Sequence, residues 1–289
     1  MRVSVIIPTF NAAAFVVEAV QSALAQTEPP HEIIVVDDGS TDDTVARLKQ
    51  FPITLIRQAN AGVAVARNAG IAVATGDAIA FLDADDVWHP RKLEFQVPLF
   101  ECDHCDLTAT GSYAWPGDVP EIAEDCIIDL EAIELRDLVV RNRIVTSTVL
   151  VRKDVLQAAG EFDPRLHGPE DYDLWLRVAQ HAGCAFLPEK LTGYRTVLGS
   201  LSKNAIRMED GMRLILEKLE AAGVFRGKPL LRRKSWGYYH YSCAFMHSAA
   251  GHRGESRSHS LKSFLKYPWP YDSDDVRYLF GRLRLLLKS

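Results

Sequence analysis

Apolar positions in the first hundred residues fall in short, nearly unbroken runs separated by stretches with helical spacing. Residues 3–7, 32–36, 53–57 and 78–82 read as strands, and 13–25, 42–50 and 63–74 as the helices between them. A βαβαβαβ series of this kind joins parallel strands through right-handed crossovers. The continuous apolar character of 3–7 and 33–36 means that both faces of the sheet are covered. The pattern predicts an α/β fold on a mostly parallel, doubly wound sheet.

Farther along, strands are expected at 107–112, 146–151, 185–187 and 192–195, and helices at 131–140, 153–159 and 172–181. From Asn204 no strand pattern survives, and 208–222, 230–250, 256–265 and 273–287 read as helices. The expected organisation is a catalytic domain over 1–203 with a helical C-terminal appendage over 204–289.

Ligands of open α/β sheets sit beyond the carboxyl ends of the strands. Those ends read Pro8-Thr9-Phe10-Asn11, Asp37-Asp38-Gly39-Ser40 and Asp83-Ala84-Asp85-Asp86. Neither G-x-G-x-x-G nor a P-loop occurs, which removes the usual dinucleotide and NTPase readings. In an extended chain Asp83 and Asp85 project to one face, and paired hard oxygen donors suit Mg²⁺ or Mn²⁺ completed by substrate phosphates; the plainer alternative is a turn. Asp38 can accept from the imide N–H of a uracil, while Ser40 and Asp43 are expected to start the next helix as a capping box. Gly62 lies near a helix N-terminus and Arg67 about one and a half turns in, where it meets either a phosphate or an acidic strand-end residue.

Glu170, Asp171 and Asp173 fill the first turn of an amphipathic helix, as the macrodipole favours. Asp173 with Arg177 has ion-pair spacing. That leaves Asp171, and after it Glu170, as general-base candidates.

Together the segments Val3-Ser-Val-Ile-Ile-Pro-Thr-Phe-Asn11, Val36-Asp-Asp-Gly-Ser-Thr-Asp42, Ala66-Arg-Asn-Ala-Gly70, Phe81-Leu-Asp-Ala-Asp-Asp86 and Glu170-Asp-Tyr-Asp-Leu-Trp-Leu-Arg177 resemble a family 2 glycosyltransferase of GT-A fold over residues 2–202. The resemblance implies inverting transfer of a sugar from a nucleotide diphosphate donor, usually a UDP-sugar, to a hydroxyl of a saccharide or lipid-linked saccharide, with Mn²⁺ or Mg²⁺ at D-x-D. It implies that Pro8 and Thr9 hold base and ribose, Asp38 the uracil edge, Asp83 the ribose or metal shell and Asp85 the metal, while Asp171 deprotonates the acceptor. Asn11, Gly62, Arg67 and Ala84 complete the expected nucleotide-sugar contacts. One departure stands out: many relatives carry a metal-binding histidine where this chain reads Tyr194-Arg195-Thr196-Val197. Either Asp85 with phosphates and water suffices, or the enzyme is weak, or His167 substitutes, or the chain is a catalytically silent nucleotide-sugar-binding or scaffold subunit. A nucleotidyltransferase would carry a glycine-rich basic loop after the first strand, and Pro8 to Ala14 lacks one.

Composition changes the picture in two places. The five cysteines and the absence of a leader or of an apolar run near the ~18 to 20 residues of a membrane helix point to reduced thiols and a cytoplasmic location. The net charge of −5 divides into −14 over residues 1–225 and +9 over 226–289. An acidic body argues against nucleic acid as partner. The basic tail, with its apolar-basic end at 278–288, suits either an anionic membrane surface or docking on the protein itself. Cys102 and Cys105 have C-x-x-C spacing without a second pair, and read as incidental thiols. Trp236, Tyr238, Tyr239, Tyr241 and Phe245 serve either helix packing or sugar stacking.

Overall fold

A computed structural model describes residues 1–101, 105–123, 129–196 and 204–271, with 282 and 285. Cys102, Val197 and nearly all of the expected helix at 273–287 lie outside the described residues. The chain forms two compact units. One comprises Met1–Glu134, Ile144–Arg165 and Asp171–Val197; the other Leu135–Arg143, Leu166–Glu170 and Leu198–Ser289.

The apolar runs become strands where expected. In chain order the first unit has β1 (Val3–Thr9), α1 (Val16–Leu24), β2 (Glu32–Asp37), α2 (Thr44–Leu48), β3 (Thr54–Arg57), α3 (Val63–Val73), β4 (Ala78–Phe81), β5 (Val87–Trp88), α4 (Lys92–Gln96), β6 (Leu107–Trp115) and β7 (Glu131–Ala132). The short α5 (Leu135–Leu138) falls to the second unit, and β8 (Leu150–Arg152), α6 (Lys153–Ala159), α7 (Glu170–Val178) and β9 (Cys184–Arg195) follow. The strand order is β3-β2-β1-β4-β8-β6-β9-β5, with β7 paired to β9. β1 to β4 are mutually parallel, and β8 is antiparallel to both its neighbours.

Every residue of β1 is buried, because α1 and α3 cover the sheet. α1 turns Val16, Ala19, Val20 and Ala23 inward at helical spacing. α3 lies close on β1: a Cβ on Gly70 would stand 2.6 Å from Ile6 Cγ2. Full burial of each such Val or Ile is worth about 1.5–3 kcal/mol, so this layer holds the loops at the strand ends in place.

Three expectations are corrected. Residues 146–151 do not form one strand: Thr146–Thr148 is a 3₁₀ turn, and only Leu150–Arg152 pairs. The buried hydroxyls of that turn serve as hydrogen-bonding groups instead. The helix expected over 131–140 shrinks to Leu135–Leu138, because Glu131 and Ala132 pair with Phe186 and Ala185 of β9. Finally, 185–187 and 192–195 belong to one strand whose pairing with β6 is irregular near Gly111, where a side chain would collide with the Pro188 carbonyl.

The second unit contains α8 (Ala205–Ala221), α9 (Pro229–Ala249) and α10 (Arg253–Lys266). Its aromatics pack among themselves: Tyr238 meets Tyr271 at 5.0 Å and Trp236 meets Tyr239 at 5.5 Å between ring centroids. Trp236 Nε1 donates to Glu220 at 2.7 Å. Phe245 is exposed. Among the described residues no helix is long and apolar enough to cross a membrane.

Candidate active site

Because β1, β2 and β4 are adjacent and parallel, their carboxyl ends open on one edge of the sheet. The first two loops there are laced together. Asp38 N donates to the Thr9 carbonyl at 2.8 Å, Asn11 N to Ser40 Oγ at 2.9 Å, and Thr41 N to Asn11 Oδ1 at 2.8 Å. Asn11 takes a left-handed backbone with φ 48°, a conformation that Asn tolerates better than most residues. Pro8 and Thr9 close β1, and the Thr9 hydroxyl is buried without a partner among the described residues. The expected capping box is not formed: Asp42 accepts from both the N–H and the hydroxyl of Thr44, while Ser40 serves Asn11.

Asp38 is 4% exposed. Its Oδ1 accepts from Gln58 Nε2 at 2.7 Å and Ala61 N at 2.9 Å, and its Oδ2 from Gly62 N at 2.8 Å. The carboxylate thereby fixes the turn that starts α3, and Oδ2 keeps further acceptor capacity. Gly62 has φ +96°, which only glycine adopts freely, and it caps α3. Arg67 is buried on that helix and pairs with Asp83, Nη2 to Oδ1 at 2.7 Å. Its guanidinium lies 5.3 Å from the Phe162 ring centroid.

The Asp83 to Asp86 loop carries three carboxylates with three environments. Asp83 meets Arg67. Asp86 is buried and accepts from Ser147 Oγ at 2.6 Å and Arg195 N at 2.9 Å. Burial, and next the charge of Asp83, push its carboxyl up to about 8. Asp85 is raised for the same two reasons; its backbone carbonyl accepts from Arg195 Nε at 2.8 Å. Ala84 between them is buried. Arg195 also pairs with Glu18 at 2.8 Å and lies 4.9 Å from the Phe15 ring.

The turn at 146–148 joins this loop to α7. Thr146 Oγ1 donates to Asp171 Oδ2 at 2.9 Å, and the next residue, Ser147, accepts from Asp83 N at 3.0 Å while donating to Asp86. Consecutive residues, with Cα atoms about 3.8 Å apart, thus hold Asp171 and the aspartate loop in one frame. Trp175, fully buried against Phe81 and Phe162 at 6.0 and 6.1 Å, anchors α7. Asp173 pairs with Arg177 at 3.0 Å, as its spacing suggests. Glu170 heads α7 with its carboxylate accepting from Gly168 N at 3.0 Å, and His167 is exposed. Sequence reasoning missed Thr146, Ser147, Asp86 and Arg195; the Tyr194-Arg195 pair ending a strand was the available signal for the last.

Hard oxygen donors at Asp83 and Asp85, the latter with its charge disfavoured by burial, are of the kind that would hold a divalent cation. The buried Thr9 hydroxyl and the residual acceptor capacity of Asp38 leave hydrogen-bonding groups on the same edge.

Residues 4–155 match the profile of the family described as Glycosyl transferase family 2. The chain is 32% identical over 210 residues to the putative teichuronic acid biosynthesis glycosyltransferase TuaG of Bacillus subtilis, covering 70% of this chain and 82% of that protein. It is 29% identical over 214 residues to the UDP-Glc:alpha-D-GlcNAc-diphosphoundecaprenol beta-1,3-glucosyltransferase WfgD of Escherichia coli, covering 71% and 81%. It spans about a third of the length of some longer curated glycosyltransferases. Among solved structures, the mannosyltransferase PcManGT of Pyrobaculum calidifontis, in complex with GDP-Man and Mn²⁺, superposes with a TM-score of 0.63 at 19% identity, covering 99% of this chain and 87% of that one. The α/β architecture is that of the GT-A glycosyltransferases.

Proposed function

The chain belongs to glycosyl transferase family 2, and on that premise we propose that it transfers a sugar from a UDP-sugar, with inversion, to a hydroxyl of a saccharide or lipid-linked saccharide acceptor in cell-surface polymer synthesis. The relatives' roles in teichuronic acid and diphosphoundecaprenol-linked glycan synthesis support the acceptor class. A cytoplasmic location is part of the same reading. The observation that carries the mechanism is the Thr146-Ser147 bridge, which ties a carboxylate on α7 to the D-x-D loop.

In this reading Thr9, Asn11 and Asp38 shape the nucleoside pocket, with Pro8 and Gly62 setting its backbone. Asp83 and Asp85 hold Mn²⁺ or Mg²⁺, which when bound offsets the charge that grows on the departing diphosphate. Arg67 and Arg195 keep the aspartate loop from self-repulsion. Asp171, oriented by Thr146, takes the proton of the acceptor hydroxyl as its oxygen bonds to the anomeric carbon. Attack from the face opposite the diphosphate inverts the configuration. Glu170 is the alternative base.

Calorimetric titration with UDP and Mn²⁺, followed by a turnover screen over several UDP-sugars, tests the reading. Binding should depend on Mn²⁺ and vanish in Asp85→Asn. Asp171→Asn should keep UDP binding and lose about 10²- to 10⁴-fold in turnover, the usual worth of a general base. Unchanged turnover removes that role. UDP binding without turnover on any donor favours the silent-subunit reading that Val197 raised, and no UDP binding overturns both.

A further inference from the structure

The second unit carries a polar cluster that shares no residue with the chemistry above. Glu209 of α8, His247 of α9 and His259 of α10 bring one carboxylate and two imidazoles together, with ligand atoms all within 4.8 Å of one another. Glu209 Oε2 stands 2.7 Å from His247 Nε2, and Oε1 3.3 Å from His259 Nε2. The two rings are 2% and 6% exposed. Each turns its second nitrogen to an outer histidine: His247 Nδ1 lies 3.1 Å from His252 Nδ1, and His259 Nδ1 lies 3.1 Å from His240 Nδ1. Four of the nine histidines in the chain gather here.

We propose that Glu209, His247 and His259 bind one Zn²⁺ ion, with water as its fourth ligand, which staples α8, α9 and α10 together. Three arguments support it. First, Zn–N bonds of about 2.0–2.1 Å in a tetrahedron put ligand atoms about 3.3 Å apart, so shifts below an ångström open the observed cluster to the ion. Second, two imidazoles with one carboxylate suit zinc rather than Mg²⁺ or Ca²⁺, which take oxygen donors. Third, the outer rings form the second layer such a site requires. The metal-free distances suit the tautomer in which His247 and His259 donate Nε2–H to Glu209 and accept at Nδ1. With metal, the Nε2 lone pairs bind the ion, and Nδ1–H donates to His252 and His240, whose own proton moves to Nε2. The packing gives a reason for the staple: α10 buries Ser256, Ser260 and Ser263 where an apolar helix face would bury Leu or Val.

The test uses the full chain, stripped with a chelator, reloaded with ZnCl₂, desalted and assayed for metal by mass spectrometry. One equivalent of zinc should be retained, excess Mn²⁺ should not displace it, and Co²⁺ in its place should give the visible band of a four-coordinate ion. The equivalent should persist in Asp83→Asn/Asp85→Asn, which separates this site from the D-x-D loop. It should be lost in His247→Ala/His259→Ala. Because that pair is buried and its loss can unfold the helices, the exposed partner provides a second variant: His252→Ala should leave the circular dichroism unchanged and weaken zinc about 10- to 100-fold. Retention no greater than in the double variant, displacement by Mn²⁺, loss of the equivalent in the aspartate variant, or unchanged affinity in His252→Ala overturns the proposal.

Discussion

The Arg67–Asp83 pair is the strut of the site, and its worth can be calculated before it is measured. Arg67→Met keeps most of the buried stem and removes the charge. The contact is 2.7 Å, with Arg67 4% and Asp83 32% exposed. With charge centres about 4 Å apart and an effective dielectric of about 20, the attraction is about 4 kcal/mol. Water at the open third of Asp83 cuts that to about half, below the 3–5 kcal/mol lost when a fully buried pair is broken. The lost cation–π contact with Phe162 adds about 1 kcal/mol. Arg67→Met should therefore destabilise the chain by about 2–3 kcal/mol. Urea unfolding of the wild type, Arg67→Met, Asp83→Asn and the double variant, all in chelator so that no cation replaces the arginine, gives the coupling directly. It should be about 2 kcal/mol. The Asp83→Asn single should cost less than Arg67→Met, because removing that charge also relieves Asp85 and Asp86. A coupling below about 0.5 kcal/mol, the usual limit of additivity, refutes the account.

Two further perturbations test the frame around the site. Lys92 is wholly buried, donates to Gln96 Oε1 at 2.6 Å and lies 4.3 Å from the Trp88 ring. The ring favours an ammonium, but complete burial dominates and holds the group well below 10.5. Between the lowered folded-state value and 10.5 the unfolded chain therefore carries a proton that the folded chain lacks, so stability rises with pH across that interval, by up to about 1.4 kcal/mol per pH unit. Lys92→Met should flatten the rise of unfolding free energy on the alkaline side just below 10.5, and superimposable slopes would contradict it. Gly70→Ala places a methyl 2.6 Å from Ile6 Cγ2, pushing α3 off β1. Overpacking of about 1–3 kcal/mol against a helix-propensity gain of about 1 should lower the unfolding midpoint; a higher midpoint would show that Ile6 yields without cost.

The parallel half of the sheet was legible because strands buried on both faces must be continuously apolar, and 3–7, 33–36 and 78–82 are. Thr146, Ser147 and Thr148 misled because β-branched and small residues read as strand, whereas their value here lies in their hydroxyls: Thr146 bonds Asp171, Ser147 bonds Asp83 and Asp86, and Thr148 bonds the Val145 carbonyl. Glu131 and Ala132 misled in the opposite sense: helix formers by propensity, they are held extended by an exposed pairing with β9 that no local signal announces. The acidic strand ends were legible as a group. Their division of labour was not, since which carboxylate meets an arginine depends on α3 and β9 arriving from distant parts of the chain.

That division decides how the D-x-D loop works. Asp83 is bound to Arg67, and Asp86 is occupied on both oxygens by Ser147 and the Arg195 backbone. The Asp85 side chain bonds to no residue but its own backbone N–H and forms no ion pair among the described residues; burial and then Asp83 raise its carboxyl, against weaker pulls from Arg195 and Arg67. A raised carboxylate without a cation of its own gains the most from an arriving one, since binding restores the charge that burial disfavours. Asp83 already has Arg67 as its cation, so in the proposed site any share it took in metal binding would compete with that pair. Three acids within four residues thus separate into a strut, a strand-end fastener and one open donor. On this reasoning Asp85→Asn abolishes Mn²⁺-dependent nucleotide binding with little loss of fold, and Asp86→Asn does the reverse.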